Sequence, residues 1–521
     1  MTELGNAGTS PSSSNGLTER RDDEVVSTYG YKPELRRSLG VFSLFAVAFS
    51  IVSISTGIFL NFGFGINAFG PAMIWTWLIA GVGQIVMALI IAELSTKIPL
   101  AGYAYQWGAR LVNSTFGWFT GSMALLYMTI TGGAIILTGC TPLLLNSFGV
   151  SVPNARLVLS VSIIIFVLTV VINIIGVQLA ARVNNVAIFT EILGTVVFAV
   201  VILVAWGLKS SPTGHTLSIL GNTNGTFIGS AAYRFALSGL IGIYTLVGFE
   251  LSADLTEEAL DSQKAVPRGI LGGVIGAVVL GFLALVCFTL AIPNLKVVQA
   301  SSLPLVTIAG YYIAHGFVHV LTLLVAFSMF ALVVMNQAAQ ARLLFAMGRD
   351  DMLPFSGVFK SVNRRTRTPI SALVIGGVVS VALMVYGYLQ TNTFATLIGA
   401  TSIAPYLVYL LIVISYMRKR KQLASIRGGF NLGKWGGPLM VVGLVWIVGA
   451  LLILILPSVF HGADKVVAGG IIVAFLWWLL VLRGRLSRGE AGVRRFEDTA
   501  KRIGEELIED VGTNRDGKAG E

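Results

Sequence analysis

The sequence predicts an all-α membrane protein that crosses the bilayer twelve times. Hydrophobic residues make up 55% of its 521 positions and charged residues only 12%, whereas soluble domains carry about 25% charged residues. Runs of about 20 apolar residues recur along the chain, and each is long enough to cross a hydrocarbon layer of ~30 Å. Basic residues fall almost entirely between alternate runs. Together these observations exclude a soluble globular protein.

Short polar segments divide the chain into its predicted parts. These are a polar tail at 1–40, ten spans within 41–416, a loop at 417–437, two spans within 438–482 and a charged tail at 483–521. The first tail lacks the short apolar stretch of a signal peptide. The third span is long enough to hide a kink at Gly132 and Gly133. The predicted spans are Val41–Phe62, Pro71–Leu94, Phe116–Phe148, Leu157–Ala180, Val186–Gly207, Gly229–Glu250, Gly269–Ile292, Gly316–Arg342, Pro369–Leu389, Phe394–Tyr416, Pro438–Leu456 and Asp464–Leu482.

The distribution of Lys and Arg predicts the orientation. With both termini in the cytoplasm, all but five of the 36 basic residues lie on the cytoplasmic side, the exceptions being Arg156, Lys209, Arg234, Lys296 and Lys465. Such a bias follows the positive-inside rule and supports an even number of spans. It also explains the net charge of +11, which therefore does not indicate nucleic acid binding. We expect a multi-pass protein of the cell membrane, with a small-molecule solute and the lipid bilayer as partners and no obligatory protein partner evident.

Acidic residues inside apolar runs are the main functional indicators, because an acid at a helix centre costs roughly 2.5–3.5 kcal/mol on insertion scales. Apart from Asp464, which lies beside a loop at the start of the last span, only Glu93, Glu191 and Glu250 lie within or at the edge of predicted spans. Glu250 ends the sixth span beside the helix-weakening Gly248, and the residues up to Glu258 are expected to return the chain to water. The prediction is a solute-binding carboxylate. The alternative is a Glu near a helix end that a backbone amide satisfies.

The two other acids permit different readings. Glu191 lies inside the fifth span, where it could serve ion coupling by exchanging a proton or could simply make an interhelical hydrogen bond. Glu93 lies at the inner end of the second span with Lys97 four residues later. A local ion pair or a strut in a gate is therefore the interpretation for Glu93.

The first span carries the second candidate break. Small and hydroxyl-bearing residues cluster within two turns of an otherwise apolar helix, and alone they could indicate only close helix packing. Interrupted helices at matching positions of two halves, however, are the best sequence pointer to a transporter's binding site. Half-helix ends offer amide donors to a carboxylate, while carbonyls and an acid suit an ammonium group. The predicted substrate-binding residues are Ser53, Ser55, Thr56, Gly57, Gly248, Phe249 and Glu250.

Three stretches carry a family resemblance: Leu44–Phe59, Ala92–Trp107 continuing to Gly117-Trp118, and Gln340–Pro354 with Thr368-Pro369. Through them the chain resembles the amino acid–polyamine–organocation permeases over residues 35–482, and most of all their amino acid/choline/GABA permease branch. The resemblance implies a five-plus-five inverted repeat with unwound helices one and six, followed by two extra C-terminal helices.

The resemblance also implies roles for individual residues. Phe249 would act as an aromatic gate, and further substrate-lining candidates are Tyr127, Asn336, Thr401 and Ser402. One departure matters, because many family members place a Lys where this chain has Glu191. The coupling chemistry therefore does not carry over, and a proton, Na⁺ or a cationic substrate all remain candidates for the partner of Glu191.

The predicted function is that of a permease, a secondary active transporter or symporter for a small ammonium-bearing solute, in the first place an amino acid. Ion-coupled alternating access needs no cofactor beyond a coupling proton or Na⁺. The alternatives are a choline, GABA or polyamine permease, an uncoupled exchanger and, more remotely, a channel. Because Ser53–Gly57 forms an anion-facing turn, a carboxylate-bearing solute is favoured.

Enzymatic function is not expected. The sequence has neither an HExxH nor a GxSxG motif, and membrane-embedded catalysis would need clustered His, Cys or carboxylates. His315 and His319 have the spacing of a metal pair, but ordinary interfacial histidines are expected there. No metal site is therefore predicted.

Overall fold

The computed structural model describes residues 22–493, apart from 25, 33–34, 36, 151–152, 210–215, 364–365, 367 and 426–428. Most of the predicted N-terminal tail and of the charged C-terminal tail lies outside this range. Across the described residues the secondary structure is helical, and an isolated bridge between Leu39 and Ala259 is the one extended pairing.

Twelve helices in the described residues are long and apolar enough to cross a membrane, which confirms the predicted all-α membrane class and the number of spans, while the five-plus-five inverted repeat stays a prediction. We number them as spans one to twelve in chain order. Their bounds are Val41–Phe69, Pro71–Lys97, Ser114–Ser147, Ala155–Ile175, Gln178–Leu208, Ala231–Glu258, Ser262–Leu290, His315–Arg349, Ile370–Tyr388, Thr393–Leu423, Gly433–Ile455 and Ser458–Ser487.

Short helices lie between several of the spans. Tyr103–Leu111 follows span two, Leu295–Ala300 and Pro304–Tyr312 precede span eight, and Ser356–Phe359 follows it. The end of the bundle that holds Tyr103–Leu111, Arg342 and Arg349 is called the basic end below, and the other is called the opposite end.

Burial separates a central group of spans from a peripheral one. In span six 89% of the most apolar window is buried inside the protein, and spans one, three and ten are similarly enclosed, whereas span twelve has only 17% of its window buried. Span seven packs against spans one and two, while span eight packs against spans three and five. Spans one, three, six, eight and ten therefore surround the centre of the molecule.

Span one is broken at its middle. One helix ends at Val52, the next begins at Ile54, and Ser53 between them adopts a left-handed backbone with φ of 37°. This conformation costs an L-residue roughly 1–2 kcal/mol. Hydrogen bonds from the Ser53 side chain to the Thr56 hydroxyl, 2.6 Å away, and to Glu191 hold it in place. The predicted interruption of the first span is therefore a real break in the helix.

Span six is also broken, but it extends further than the sequence predicted. Its α-helix ends at Thr245, Gly248 follows with φ of 99°, and the chain continues as a 3₁₀ helix over Phe249–Glu258. Ten residues are long for this geometry, in which runs beyond three or four are uncommon and often mark a hinge or strain. The prediction that the chain returns to water after Glu250 was wrong, because every residue of this 3₁₀ helix is buried.

Span three has its irregularity one turn beyond the predicted kink. Residues Ile136–Cys140 form a π-helical turn, and the Ile136 amide is shared by the carbonyls of Gly132 and Gly133. Such turns are found mostly as local bulges within α-helices, frequently at functional sites. The paired glycines thus precede the bulge rather than forming it.

Candidate functional site

The two helix breaks contact each other at the centre of the bundle. A Cβ atom placed on Gly57 of span one would lie 2.0 Å from the Thr245 hydroxyl oxygen of span six. A Cβ atom placed on Gly248 would lie 2.7 Å from a methyl carbon of Ile51 and 3.1 Å from the hydroxyl oxygen of Tyr127. Only glycine fits at these two points. Spans one and six therefore lie in close contact at their breaks, with span three beside them.

Glu191 of span five closes the break in span one. Its Oε1 atom accepts hydrogen bonds from the Ser53 hydroxyl at 2.9 Å, the Ser55 hydroxyl at 3.2 Å and the Ser55 amide at 3.3 Å. The carboxylate thus occupies the positive N-terminal end of the second half-helix, where an anion is stabilised. Ser53 and Ser55 donate to an internal acid here, so they give no independent support for a carboxylate on the solute.

Glu250 closes the break in span six. Its Oε2 atom accepts hydrogen bonds from the Gly248 amide at 3.0 Å and from the Tyr409 hydroxyl of span ten at 2.7 Å. The ring of Phe249 stacks on that of Tyr409, with 6.1 Å between the ring centroids. Glu250 is therefore a buried acid that accepts two hydrogen bonds. One of them comes from a backbone amide, as the alternative interpretation of Glu250 expected.

A small cavity of about 20 Å³, which is room for about one water molecule, lies against both breaks. Its polar walls are side chains of spans one, three, six and ten, and none of the described residues that line it is Lys, Arg or His. We call it the central cavity. Its polar lining residues are Thr56, Tyr127, Thr131, Tyr244, Thr245 and Thr401.

Four of the predicted binding residues line the central cavity: Thr56, Gly57, Tyr127 and Thr401. Two of the other predicted side chains bond backbone carbonyls instead. The Asn336 amide donates to the Met128 carbonyl at 2.8 Å, and the Ser402 hydroxyl donates to the Ile398 carbonyl at 2.7 Å. Sequence reasoning missed Thr131, Tyr244 and Thr245. Tyr244 and Thr245 lie about one turn before Gly248. Their closeness to the predicted break was the signal in the sequence that could have identified them.

The close contact at Gly57 makes a steric prediction. Replacing Gly57 by Ala is expected to lower solute uptake about tenfold or more, because an added methyl group must push spans one and six apart at a cost of roughly 1–3 kcal/mol. Uptake by membrane vesicles and protein yield would measure the effect. Thr245→Gly in the same chain should restore much of the uptake, because it removes all three side-chain atoms that the new methyl group meets, including the Thr245 Cβ at 2.4 Å.

A matched control is available for that substitution. Gly449 of span eleven has no atom within 4 Å of its added Cβ, and Gly449→Ala should leave uptake unchanged. Full uptake by the Gly57→Ala variant alone would show that the two breaks can separate freely and would contradict the prediction.

Buried ion pairs hold span six to span eight at the basic end. Arg342 Nε lies 2.6 Å from Glu258 Oε1, with both side chains only 2% exposed. Arg349 contacts both Glu257 oxygens, at 3.1 and 3.3 Å. Sequence reasoning placed these two acids in a water-filled loop and therefore did not pair them.

The N-terminal segment also contributes to this closed end. The Tyr31 hydroxyl donates to Asp350 at 2.8 Å, and the Arg349 guanidinium lies 3.6 Å from the centre of the Tyr31 ring. Tyr105 donates to the other Asp350 oxygen at 2.7 Å. Burial raises the pKa of the Asp350 carboxyl, and the Arg349 charge opposes this shift. The N-terminal segment, the loop after span two and the end of span eight are therefore tied together at the basic end.

Glu93 takes part in a separate contact. Its Oε2 atom accepts a hydrogen bond from the Tyr416 hydroxyl of span ten at 2.6 Å. The predicted pairing with Lys97 and the predicted role as a gate or structural strut both stay predictions. Within the described part of the chain, no group of three or more His, Cys, Asp or Glu side chains has the arrangement of a metal site.

The comparisons with known proteins agree with this architecture. Residues 39–481 match the family model described as amino acid permease. The amino-acid permease BAT1 of Arabidopsis thaliana is 25% identical over 487 residues, which cover 87% of this chain and 93% of the relative. The thiamine transporter thi9 of Schizosaccharomyces pombe is 24% identical, covering 89% and 86%. The GABA-specific permease of Saccharomyces cerevisiae is 24% identical, covering 94% and 89%. This chain belongs to the amino acid permease family, and it is a transporter.

Proposed function

We propose that the protein is an ion-coupled secondary transporter of the cell membrane for a small solute that carries an ammonium group. The observation that supports this most is the pair of helix breaks at a central cavity, each closed by a buried carboxylate. Both termini would lie in the cytoplasm, so that the basic end is the cytoplasmic end, in accord with the positive-inside rule. The solute would cross unchanged, so no enzymatic step is involved.

The solute would bind at the central cavity, which movement of the surrounding spans would have to widen. Thr56, Gly57, Tyr127 and Thr401 line it, and their hydroxyl and backbone groups can orient a small polar molecule. Glu250 would balance the ammonium charge from beside the break in span six, where it accepts a hydrogen bond from the Gly248 amide. Phe249 would gate the path, since its ring lies against Tyr409 next to Glu250.

Amino acids remain the first expectation for the solute. The relatives named above include permeases or transporters of amino acids, GABA and thiamine, and thiamine is a cation without a carboxylate. Because Ser53 and Ser55 donate to Glu191, the earlier preference for a carboxylate-bearing solute weakens. Amines such as choline or putrescine are therefore tested on equal terms with zwitterions.

Alternating access would come from spans one, two, six and seven moving against spans three, five and eight. The closed ion pairs at the basic end lie at the boundary between span six and span eight, as such a movement requires. We infer that this structure represents a state with its cytoplasmic path closed.

The test is transport by purified protein in liposomes. A thermal-shift panel of amino acids, GABA, choline, ethanolamine and putrescine would first identify a ligand. The labelled ligand should then accumulate inside liposomes above its outside concentration when a proton or Na⁺ gradient is imposed, and an ionophore that dissipates the gradient should abolish this accumulation. Equilibration without accumulation would instead indicate a facilitator or a channel.

Glu191 is the proposed coupling residue. Glu191→Gln keeps an oxygen for the Ser53 and Ser55 donors but removes the charge and the exchangeable proton of the carboxyl group. The accumulation ratio should fall to about one and lose its dependence on the gradient, while exchange of labelled for unlabelled solute is retained. The measurement is accumulation at pH 5.5 to 8 in parallel with counterflow.

Ser55→Ala provides the matched control for Glu191. It removes one hydrogen bond to Glu191 and leaves the carboxyl group in place, so gradient-driven accumulation should survive. If accumulation and its pH profile also survive in Glu191→Gln, Glu191 only closes the helix break and another group couples the ion.

A further inference from the structure

The 3₁₀ helix Phe249–Glu258 carries four buried carboxyl groups, and three of them have clear partners. Glu250 is held by Gly248 and Tyr409, while Glu257 and Glu258 pair with arginines of span eight. The fourth is Asp254, which is fully buried. Its Oδ1 atom accepts a hydrogen bond from the Gly102 amide at 2.8 Å, but its Oδ2 atom has no hydrogen-bond partner among the described residues.

An unpartnered oxygen on a buried acid is costly, because transfer from water removes its hydrogen bonds. Arg342 is the cationic side chain whose positive charge influences Asp254. That guanidinium, however, bonds Glu258 at 2.6 Å and the Ala338 carbonyl at 3.0 Å. Asp254 therefore keeps acceptor capacity that the closed structure does not use.

Tyr103 supplies a second, independent observation. It begins the short helix after span two, it is fully buried, and its hydroxyl also lacks a hydrogen-bond partner among the described residues. Burial raises the pKa of the Tyr103 hydroxyl well above its ordinary value, and the neighbouring groups Glu250, Asp254 and Tyr127 raise it further. Asp254 and Tyr103, which belong to different helices, thus each carry a buried oxygen without a hydrogen-bond partner among the described residues, and both are influenced by Glu250.

The position of this pair relates it to the solute path. The Tyr127 side chain lines the central cavity, and its hydroxyl lies against Gly248, just before the 3₁₀ helix. The Gly102 amide, next to Tyr103 in the chain, bonds Asp254 further along that helix and belongs to the loop at the basic end. A solute that leaves the cavity towards the basic end would therefore pass Asp254 and Tyr103 after Glu250. An ammonium group has donors for both free oxygens, since a tyrosine hydroxyl can accept as well as donate.

We propose that the Asp254 carboxylate and the Tyr103 hydroxyl form an inner cation site, which receives the ammonium group of the solute between the central cavity and the basic end. This proposal rests on the proposed transport function. It adds a second binding step on the cytoplasmic side of Glu250. Stepwise binding of this kind lets the ammonium group leave Glu250 without becoming an isolated charge in a dry interior.

The test compares solute affinity from the two sides of the membrane. Asp254→Asn keeps an oxygen for the Gly102 amide and removes only the charge. From the cytoplasmic side, measured with inverted vesicles, the concentration for half-maximal transport should rise about tenfold or more, the size expected for loss of one charged hydrogen bond. From the outer side, measured with right-side-out vesicles, the concentration for half-maximal transport should change less than about twofold. Labelled L-alanine, GABA and putrescine are the probes.

Two further variants keep the test decisive. Asp254→Glu retains the charge and should restore much of the cytoplasmic affinity. Tyr103→Phe removes only an unpartnered hydroxyl, so it should fold normally and still weaken cytoplasmic affinity by a few-fold; it carries the test if Asp254→Asn fails to fold. Unchanged or equally changed affinity on both sides would overturn the proposal. A changed pH profile with unchanged solute affinities would also overturn it and indicate a proton site.

Failure of the inner site remains distinct from failure of the proposed function. If the wild-type protein accumulates none of the probes, the transport proposal and its solute class are wrong. If the wild type accumulates a probe and Asp254→Asn behaves identically from both sides, only the inner site is wrong.

Discussion

Replacing Glu250 by Gln is expected to lower solute affinity and uptake on the order of a hundredfold, while the protein still folds. The amide keeps an oxygen that can accept from the Gly248 amide and from Tyr409, so the break in span six keeps its hydrogen bonds. What is lost is the negative charge that balances the ammonium group. Leaving a buried charge unpaired costs roughly 2–5 kcal/mol, which corresponds to this loss in affinity.

Thermal shift and uptake by liposomes would measure the effect of Glu250→Gln, and Glu93→Gln is its matched control. Glu93 is also a buried acid that accepts from a tyrosine of span ten, at 2.6 Å from Tyr416, but it belongs to span two and not to a helix break. We expect Glu93→Gln to bind the solute with normal affinity, even if it alters the rate of transport. Unchanged affinity in Glu250→Gln would leave Glu250 as a structural acid that closes a helix end.

Sequence reasoning found the membrane class and the two helix breaks because both leave local signals. Apolar runs of bilayer length identify spans without any tertiary contact. Gly248 and the cluster beginning at Ser53 identify the breaks, because glycine and hydroxyl side chains tolerate or favour backbone that leaves the helix. The structure shows a left-handed backbone at both points, Ser53 and Gly248.

The partners of the buried acids left no comparable signal. Tyr409 lies 159 positions after Glu250, and Ser53 lies 138 positions before Glu191, so only the packed fold reveals these contacts. The end of span six was misjudged for a related reason. Asp254, Glu257 and Glu258 look like a water-exposed run, and their burial depends on arginines and amides from span eight and from the loop after span two.

Removing Glu258 is expected to have the largest effect on stability. The Arg342–Glu258 pair is 2.6 Å long, with both side chains 2% exposed, and the Glu258 carbonyl also accepts from the amides of Ser38 and Leu39. Glu258→Gln would remove the carboxylate that is bonded to the buried Arg342 charge. Breaking a buried pair in this way costs roughly 3–5 kcal/mol, so the free energy of unfolding of the closed state should fall by that order.

Denaturant unfolding in detergent, followed by tryptophan fluorescence, would measure this loss. Glu490→Gln is the control, since the Arg488–Glu490 pair is also 2.6 Å long but about half exposed on each side chain, and its removal should leave the midpoint unchanged. Because the loss comes from the orphaned charge and not from the absent attraction, Glu258→Leu combined with Arg342→Met should regain much of the stability. The same double variant should still open more readily at the basic end, because it lacks the ion pair between residues 258 and 342 that holds span six to span eight. A double variant as unstable as Glu258→Gln would show instead that the attraction between the two charges stabilises the closed end.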